Sequence, residues 1–302
     1  MDPIDRGIIL DLQRNYRVSL RALADKHGVT SKVIRRRIAA LEEKGVIRDY
    51  IVQVSRAMTN TEILFSLLYT DKSIDDDSFA EMAFAHPNVF RVHYDSFGTC
   101  IVLSEYENPE QMMDLTSFFR RLESVHDLEV HSLPLPRGEK KELSSIELRV
   151  LAVLIDNPRM PIADIARRSG LTVKRVRRTL TDLIDSEAVT FRIFVSLTSS
   201  DASYISYRVA WDPKKTNPAT IDSILRERFP DAYWTSMYSA MEPLMWCDFL
   251  IDHPKKSEEV VRELRKIPSV IVRNTILVYP PKKIRHLRQE ALRRMIQGAG
   301  FL

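Results

Sequence analysis

The stretch GVTSKVIRRRIAALEEKGVI, residues 28–47, sets three consecutive arginines inside a run of Ile, Val, Ala and Leu. Ile34, Ile38 and Leu41 recur at the i, i+4, i+7 spacing that places them on one face of a helix, so the run reads as a helix docked inward by those three side chains. With about 100° between successive residues, the opposite face carries Lys32, Arg36, Ala39 and Glu43, with Arg35 at its flank. Arg37 falls nearer the core edge, where its stem packs between helices. A charged run like this is ordinarily a solvated helix face. Its surroundings give it a second meaning.

Upstream, residues 19–27 form a short helix with Leu20, Leu23 and Ala24 inward. Gly28 ends it, supplying a left-handed conformation that other residues adopt only at a cost of about 1 kcal/mol. Thr30 is placed to cap the arginine helix through its hydroxyl. Ile4, Ile8, Ile9 and Leu12 stripe an earlier helix that Pro3 starts, and the apolar alternation of Ile47, Tyr50, Ile51, Val52 and Val54 predicts a strand wing. Helix, tight glycine turn, helix is the DNA-binding layout.

The chain then repeats itself at an offset of 142 positions: ALADKHGVTSKVIRRRIAALEEKGVI (22–47) lies over DIARRSGLTVKRVRRTLTDLIDSEAV (164–189). Gly28/Gly170, Thr30/Thr172, Lys32/Lys174, Arg35/Arg177 and Arg36/Arg178 coincide on that register. The second arginine helix buries Val176, Leu180 and Leu183 and presents Lys174, Arg178 and Thr181, with Arg177 at the flank. Small residues Ala39 and Thr181 allow close approach, while the N-terminal cations reach phosphates or guanine edges.

Each copy continues with strand, helix, strand, strand, helix, strand. In the first these are residues 63–70, 79–85, 89–94, 100–105, 112–122 and 128–133; in the second, 204–211, 221–228, 232–238, 245–251, 258–266 and 270–278. That order is the ferredoxin-like plan, one antiparallel sheet with helices on one face. Its other face needs a cover, and two such modules can cover each other. The fold class is therefore α+β: two helix–turn–helix domains (1–55 and 144–197) alternating with two ferredoxin-like βαββαβ domains (56–133 and 198–280), a linker at 134–143 and a basic tail helix at 281–302. In the tail, Ile284, Leu287, Ala291, Leu292 and Met295 make one apolar stripe that docks on protein and leaves the cations for solvent or DNA.

Charge is segregated along these joints. Residues 1–55 hold 11 Lys/Arg against 7 Asp/Glu, 56–133 hold 5 against 14, 142–197 hold 9 against 7, 198–279 hold 11 against 11, and 280–302 hold 6 against 1. Basic segments alternating with acidic or neutral ones are what a chain needs when only some of it meets a polyanion. The 302 residues are 44% hydrophobic with no long apolar run, and the first ten residues carry acids where a signal peptide carries bases, so no membrane is expected as a partner and the cytoplasm is the expected compartment. Cys100 and Cys247 are too few for a disulfide framework; both open the third strand of a sheet module and read as small core residues. His86, His93, His126, His131, His253 and His286 lack metal-ligand spacing, and no nucleophile motif or phosphate-cradling loop stands out. The expectation is no metal, no cofactor and no enzymatic activity.

With the run IDRGIILDLQRNYRVSLRALADKHGVTSKVIRRRIAALEEKGVIRDYIV, the order of parts resembles the Lrp/AsnC, or feast/famine, transcription regulators over nearly the whole chain, twice over. The resemblance implies DNA-binding domains joined to effector-binding, oligomerising domains, in a chain that resembles a fused dimer. It places DNA contacts at Thr30, Ser31, Lys32, Arg35 and Arg36 and, through the repeat, at Thr172, Lys174, Arg177 and Arg178. It places an effector turn at DSFGTC (95–100), with Asp95, Ser96 and Gly98, while the second copy's SAMEPLMWC (239–247) lacks a glycine. The implied partners are double-stranded DNA, a second copy in a homodimer or higher homo-oligomer, and a small-molecule effector. Two alternatives stay open. Sirohaem decarboxylases resemble the same architecture, although the acidic 56–133 module argues against a cationic tetrapyrrole pocket; a DNA-blind scaffold would use the second helix–turn–helix for assembly alone.

Overall fold

The computed structural model describes residues 1–196 and 203–301. The first copy runs α1 (Pro3–Arg14), α2 (Leu20–His27), α3 (Ser31–Glu43), β1 (Ile47–Val54), a single turn α4 (Arg56–Thr59), then β2 (Glu62–Thr70), α5 (Asp76–Phe84), β3 (Val89–Tyr94), β4 (Cys100–Tyr106), α6 (Pro109–Arg120) and β5 (Val125–Leu133). The second copy follows as α7 (Ser145–Asp156), α8 (Ile162–Ser169), α9 (Val173–Asp185), β6 (Val189–Val195), β7 (Ser203–Trp211), α10 (Pro218–Arg228), β8 (Tyr233–Tyr238), β9 (Leu244–Ile251), α11 (Pro254–Lys266) and β10 (Val270–Leu277). A short β11 (Lys283–Ile284) and α12 (Leu287–Gly298) end it.

Three helices start a turn earlier than apolar spacing predicts, each for the same reason. Asn108, Asn217 and His253 precede a proline and accept the N–H of Gln111 (3.0 Å), Thr220 (2.9 Å) and Lys255 (3.2 Å), so α6, α10 and α11 begin at the proline.

Two compact units result. One comprises Met1–Thr61, Arg137–Ser199 and His286–Leu302; the other comprises Glu62–Pro136 and Ser200–Arg285. In the first unit, the strand expected as a wing after the first recognition helix pairs with its counterpart in the second copy. β1 and β6 are antiparallel, with Tyr50 opposite Ile193 and Ile51 opposite Arg192. Under the 142-residue repeat Tyr50 corresponds to Arg192 and Ile51 to Ile193, so exchanging the copies exchanges these two pairs. That is the isologous pattern of a twofold dimer interface, here inside one chain. The segment after Pro136 belongs to the same unit: the Ser55 hydroxyl donates to the Glu139 carbonyl at 2.7 Å and the Ala57 N–H to the Arg137 carbonyl at 3.1 Å.

The second unit holds two sheets, ordered β11–β3–β4–β2–β5 and β10–β7–β9–β8, the ferredoxin-like order in both modules with β11 added to one edge. Helices cover one face of each sheet over Leu64, Phe79, Val102 and Phe119 in the first module and Tyr207, Ile221, Phe249 and Leu264 in the second. The remaining faces cover each other, with Ile63, Phe65, Leu67, Ile101, Leu103 and Leu133 against Leu244 and Trp246 and the Phe65 and Trp246 rings 4.6 Å apart. Each such side chain contributes roughly 1.5–3 kcal/mol of burial, which holds the modules face to face.

The tail corrects an expectation. Residues 281–302 do not form one proline-started helix: β11 pairs with the edge of β3, and the helix begins only at Leu287. Pro280 and Pro281 favour extended backbone before them, and β3 offers unpaired edge groups that an extended segment satisfies. Nor are four of the tail's six cations free for DNA. Lys282 pairs with Asp77 at 2.8 Å, Arg293 with Asp156 at 2.7 Å, and Lys283 with Glu81. Arg285 donates to the carbonyls of Pro87 (2.8 Å) and Phe84 (3.4 Å) and stacks 4.5 Å over the Phe84 ring.

Candidate nucleic-acid interface

Both helix–turn–helix elements form by the same local chemistry. Ser19 caps α2, Gly28 ends it at φ 65°, and Gly170 ends α8 at φ 66°, each in the left-handed region where a Cβ is strained. Thr30 then accepts the Val33 N–H at 3.3 Å and Thr172 the Arg175 N–H at 3.2 Å, starting α3 and α9. Ile34, Ile38 and Leu41 are buried under α3, and Val176, Leu180 and Leu183 under α9. The opposite faces are open: Thr30, Lys32, Arg35 and Arg36 are exposed on the first element and Thr172, Lys174, Arg177 and Arg178 on the second, with Ser31 half-buried.

The cations differ in their commitments. Among the described residues no carboxylate pairs with Lys32, Arg35, Arg36, Lys174 or Arg177, while Arg178 lies 3.8 Å from Asp182. Arg37 is turned inward, 2.6 Å from Asp2 and 2.7 Å from Asp5, and the hydrogen bonds to Asp5 and Asp2 hold its guanidinium above its ordinary range. The middle arginine triplet thus splits into two outward groups and one interhelical tie. Two exposed residues distinguish the elements beyond what the cations do. Val173 is 40% exposed at the head of α9, where α3 has Ser31, and Arg175 is exposed where α3 has Val33.

The two elements are held together by more than the β1–β6 ladder. Arg17 donates to the carbonyls of Pro158 (2.9 Å) and Met160 (3.2 Å); its repeat equivalent Arg159 stacks 4.6 Å over Tyr50 and pairs with Glu42.

In the other unit, the DSFGTC turn is closed on itself. Asp95 is buried, and its carboxylate accepts the N–H groups of Phe97 (2.8 Å) and Thr99 (2.9 Å); Gly98 stands at φ 78°, and Lys72 donates to its carbonyl. Ser96 is exposed and its N–H donates to Leu277. Sequence reasoning did not single out a cleft of about 640 Å³ in the second module, lined by Arg208, Asp212, Glu242, Arg273 and Asn274 among others. These residues come from three separate segments, which periodicity cannot bring together. Burial pushes the Cys100 thiol up to about 12 and Cys247 well above its ordinary value, so neither is a ready nucleophile. Among the described residues, no group of three metal-type side chains converges, and no helix is long and apolar enough to cross a membrane.

With this geometry in place the chain can be set beside known proteins. A winged helix–turn–helix DNA-binding family matches residues 1–48 and 143–190, the two elements just described. The Bacillus subtilis HTH-type transcriptional regulator YezC is 32% identical over 93 residues, 31% of this chain and 66% of that protein. The chain is a tandem relative of the Lrp/AsnC regulators. Another such relative, the Pyrococcus furiosus HTH-type transcriptional regulator FL11, is 27% identical over 133 residues, 42% of this chain and 87% of that one. Each relative thus aligns with less than half of this Lrp/AsnC-like chain, as a duplication requires.

Over its full length the tandem plan is similar to a sirohaem decarboxylase, NirDL, at TM-score 0.54 and 12% identity, covering 99% of this chain and 100% of the other. The expectation that the chain is not an enzyme is thereby overturned: an enzyme is built on this same duplicated fold. The likeness is one of fold, and it removes architecture as a ground for excluding catalysis.

Proposed function

We propose that the chain is a sequence-specific, DNA-binding transcription regulator of the Lrp/AsnC type, in which one polypeptide supplies both helix–turn–helix units for a bipartite site. The observation that carries this reading is the pair of recognition helices, α3 and α9, with outward cations on one β-joined unit. Lys32, Arg35 and Arg36, and likewise Lys174, Arg177 and Arg178, reach phosphates and guanine edges. Thr30 and Thr172 start the helices, whose remaining first-turn N–H groups face a phosphate oxygen, and Ser31 contacts a base or phosphate. Selection of bound fragments from random duplexes at low ionic strength tests it. Two half-sites at one fixed spacing are expected; no retention of DNA at low salt defeats the reading.

A small-molecule effector belongs to this reading. The turn of Asp95, Ser96 and Gly98 spends its carboxylate on its own backbone, whereas the 640 Å³ cleft offers both signs of charge through Arg273, Glu242 and Asp212, as a zwitterion needs. A thermal-shift panel of amino acids, read for wild type and Arg273→Ala, discriminates the two places.

A further inference from the structure

We propose that the outer edge of β8 is a self-association surface, onto which β8 of a second copy of this chain adds antiparallel to join two sheets into one. β8 ends the order β10–β7–β9–β8, and among the described residues no strand pairs on its outer side. The edge that corresponds to it in the first module, β3, is sealed. β11 sets Lys283 opposite Val92 and Ile284 opposite Arg91, and Tyr279, Lys282 and Arg285 donate backbone N–H groups to Tyr94 (2.8 Å), Val92 (2.8 Å) and Phe90 (2.9 Å). This chain therefore already uses strand addition at one of two like edges.

The other edge is left open by the course of the chain. The Ala240 N–H donates to Ser132 at 2.8 Å, mirroring Ser96 to Leu277 at 2.8 Å, so the segment after β5 sets out on the same path. Pro134 and Pro136 then have no N–H to offer, and Arg137 and Glu139 bond to Ala57 and Glu187 instead. The strand itself, YWTSMY, carries no Lys, Glu or Pro, the residues by which edges are ordinarily blunted, and is rich in strand-favouring Tyr, Trp and Thr.

Charge selects the occupant. Residues 198–279 balance 11 Lys/Arg against 11 Asp/Glu, so two copies meeting through the second module meet without net repulsion; residues 56–133, with 5 against 14, do not. Met241, 57% exposed just beyond β8, adds apolar surface beside the edge. Antiparallel pairing of like strands is isologous and closes at two copies.

Light scattering and hydrogen exchange of the full chain at low and high micromolar concentration test this. The mass should approach twice 35.0 kDa, and amides in residues 233–238 should exchange about tenfold more slowly at high concentration, while residues 89–94 are protected at both. Thr235→Lys should return the mass to 35.0 kDa; should that variant not fold, the exchange pattern of the wild type decides. A mass of 35.0 kDa throughout, or a dimer whose concentration-dependent protection spares residues 233–238, overturns the proposal.

Discussion

The Tyr16 hydroxyl donates to the Pro158 carbonyl oxygen at 3.0 Å, and the two residues stand at the same position of the two copies, 142 residues apart. Equivalent residues touch only close to a twofold axis, so this bond and the β1–β6 ladder place a pseudo-dyad inside the DNA-binding unit. A rigid pair should tolerate one half-site spacing. Inserting five base pairs between selected half-sites should lower affinity at least about tenfold, and inserting ten, about one helical turn, should not restore it. Anisotropy titrations check this; recovery at ten would mean that the two elements move independently.

Arg36 is exposed and, among the described residues, has no carboxylate partner, whereas its equivalent Arg178 lies 3.8 Å from Asp182. Arg36→Ala should therefore weaken binding more than Arg178→Ala. A guanine contact would cost about 1–3 kcal/mol and relax one base position; a phosphate contact would weaken all sequences alike and lower the salt slope by about one. An Arg36→Ala protein with unchanged affinity and slope takes that residue out of the interface.

Val173, 40% exposed at the start of α9, has the size and polarity to meet a thymine methyl group, which Ser31 lacks. Replacing thymine by uracil in the half-site read by α9 should weaken binding by up to about tenfold. Val173→Ser should abolish that sensitivity while leaving the other half-site unaffected. Equal uracil effects on both variants would remove Val173 as a reader.

Gly138 sits at φ 73°, and a Cβ there would come 2.7 Å from the Glu187 carbonyl oxygen and 2.8 Å from the Ser55 Cβ. Backbone on one side and left-handed strain on the other leave little room to relax. Gly138→Ala should cost about 1–3 kcal/mol, seen as a lower Tm, whereas Gly28→Ala, with nothing within 4 Å of its Cβ, should show the strain cost alone.

Glu129 is held down at about 2, first by the His131 imidazole 3.6 Å away, with burial opposing and hydrogen bonds from Arg208 and Tyr69 adding to the hold. A depressed carboxylate contributes stability above its ordinary value of 4.5, and that contribution is lost as pH falls from about 4.5 toward about 2. Tm of the wild type should drop across this window, and Glu129→Gln should lower Tm near neutral pH and flatten the drop. An unaltered acid limb in the variant would assign the acid sensitivity elsewhere.

The helix–turn–helix elements were legible because everything that forms them is local: a glycine at the turn, a threonine three residues before the bonded N–H, and apolar residues one face apart. Arg37 was separable from Arg36 on helix geometry alone, although its partners Asp2 and Asp5 lie more than thirty positions away. The early starts of α6, α10 and α11 carried a readable sign, an Asn or His before a proline, that apolar periodicity overlooks. The tail's six cations read as a basic surface because composition counts charges without their partners, and Asp77, Glu81 and Asp156 become neighbours only on folding.

By itself, the order of residues settled the duplicated plan, the buried face of each recognition helix and the need for two sheet faces to meet, since periodicity states which side of an element leaves water. Tertiary structure decided which groups satisfy one another: β1 with β6, the tail with β3 and its carboxylates, and, among the described residues, no strand with the outer edge of β8. Such pairings depend on chain closure over a hundred residues or more, where prolines and the path of a linker determine which backbone groups arrive at an open edge.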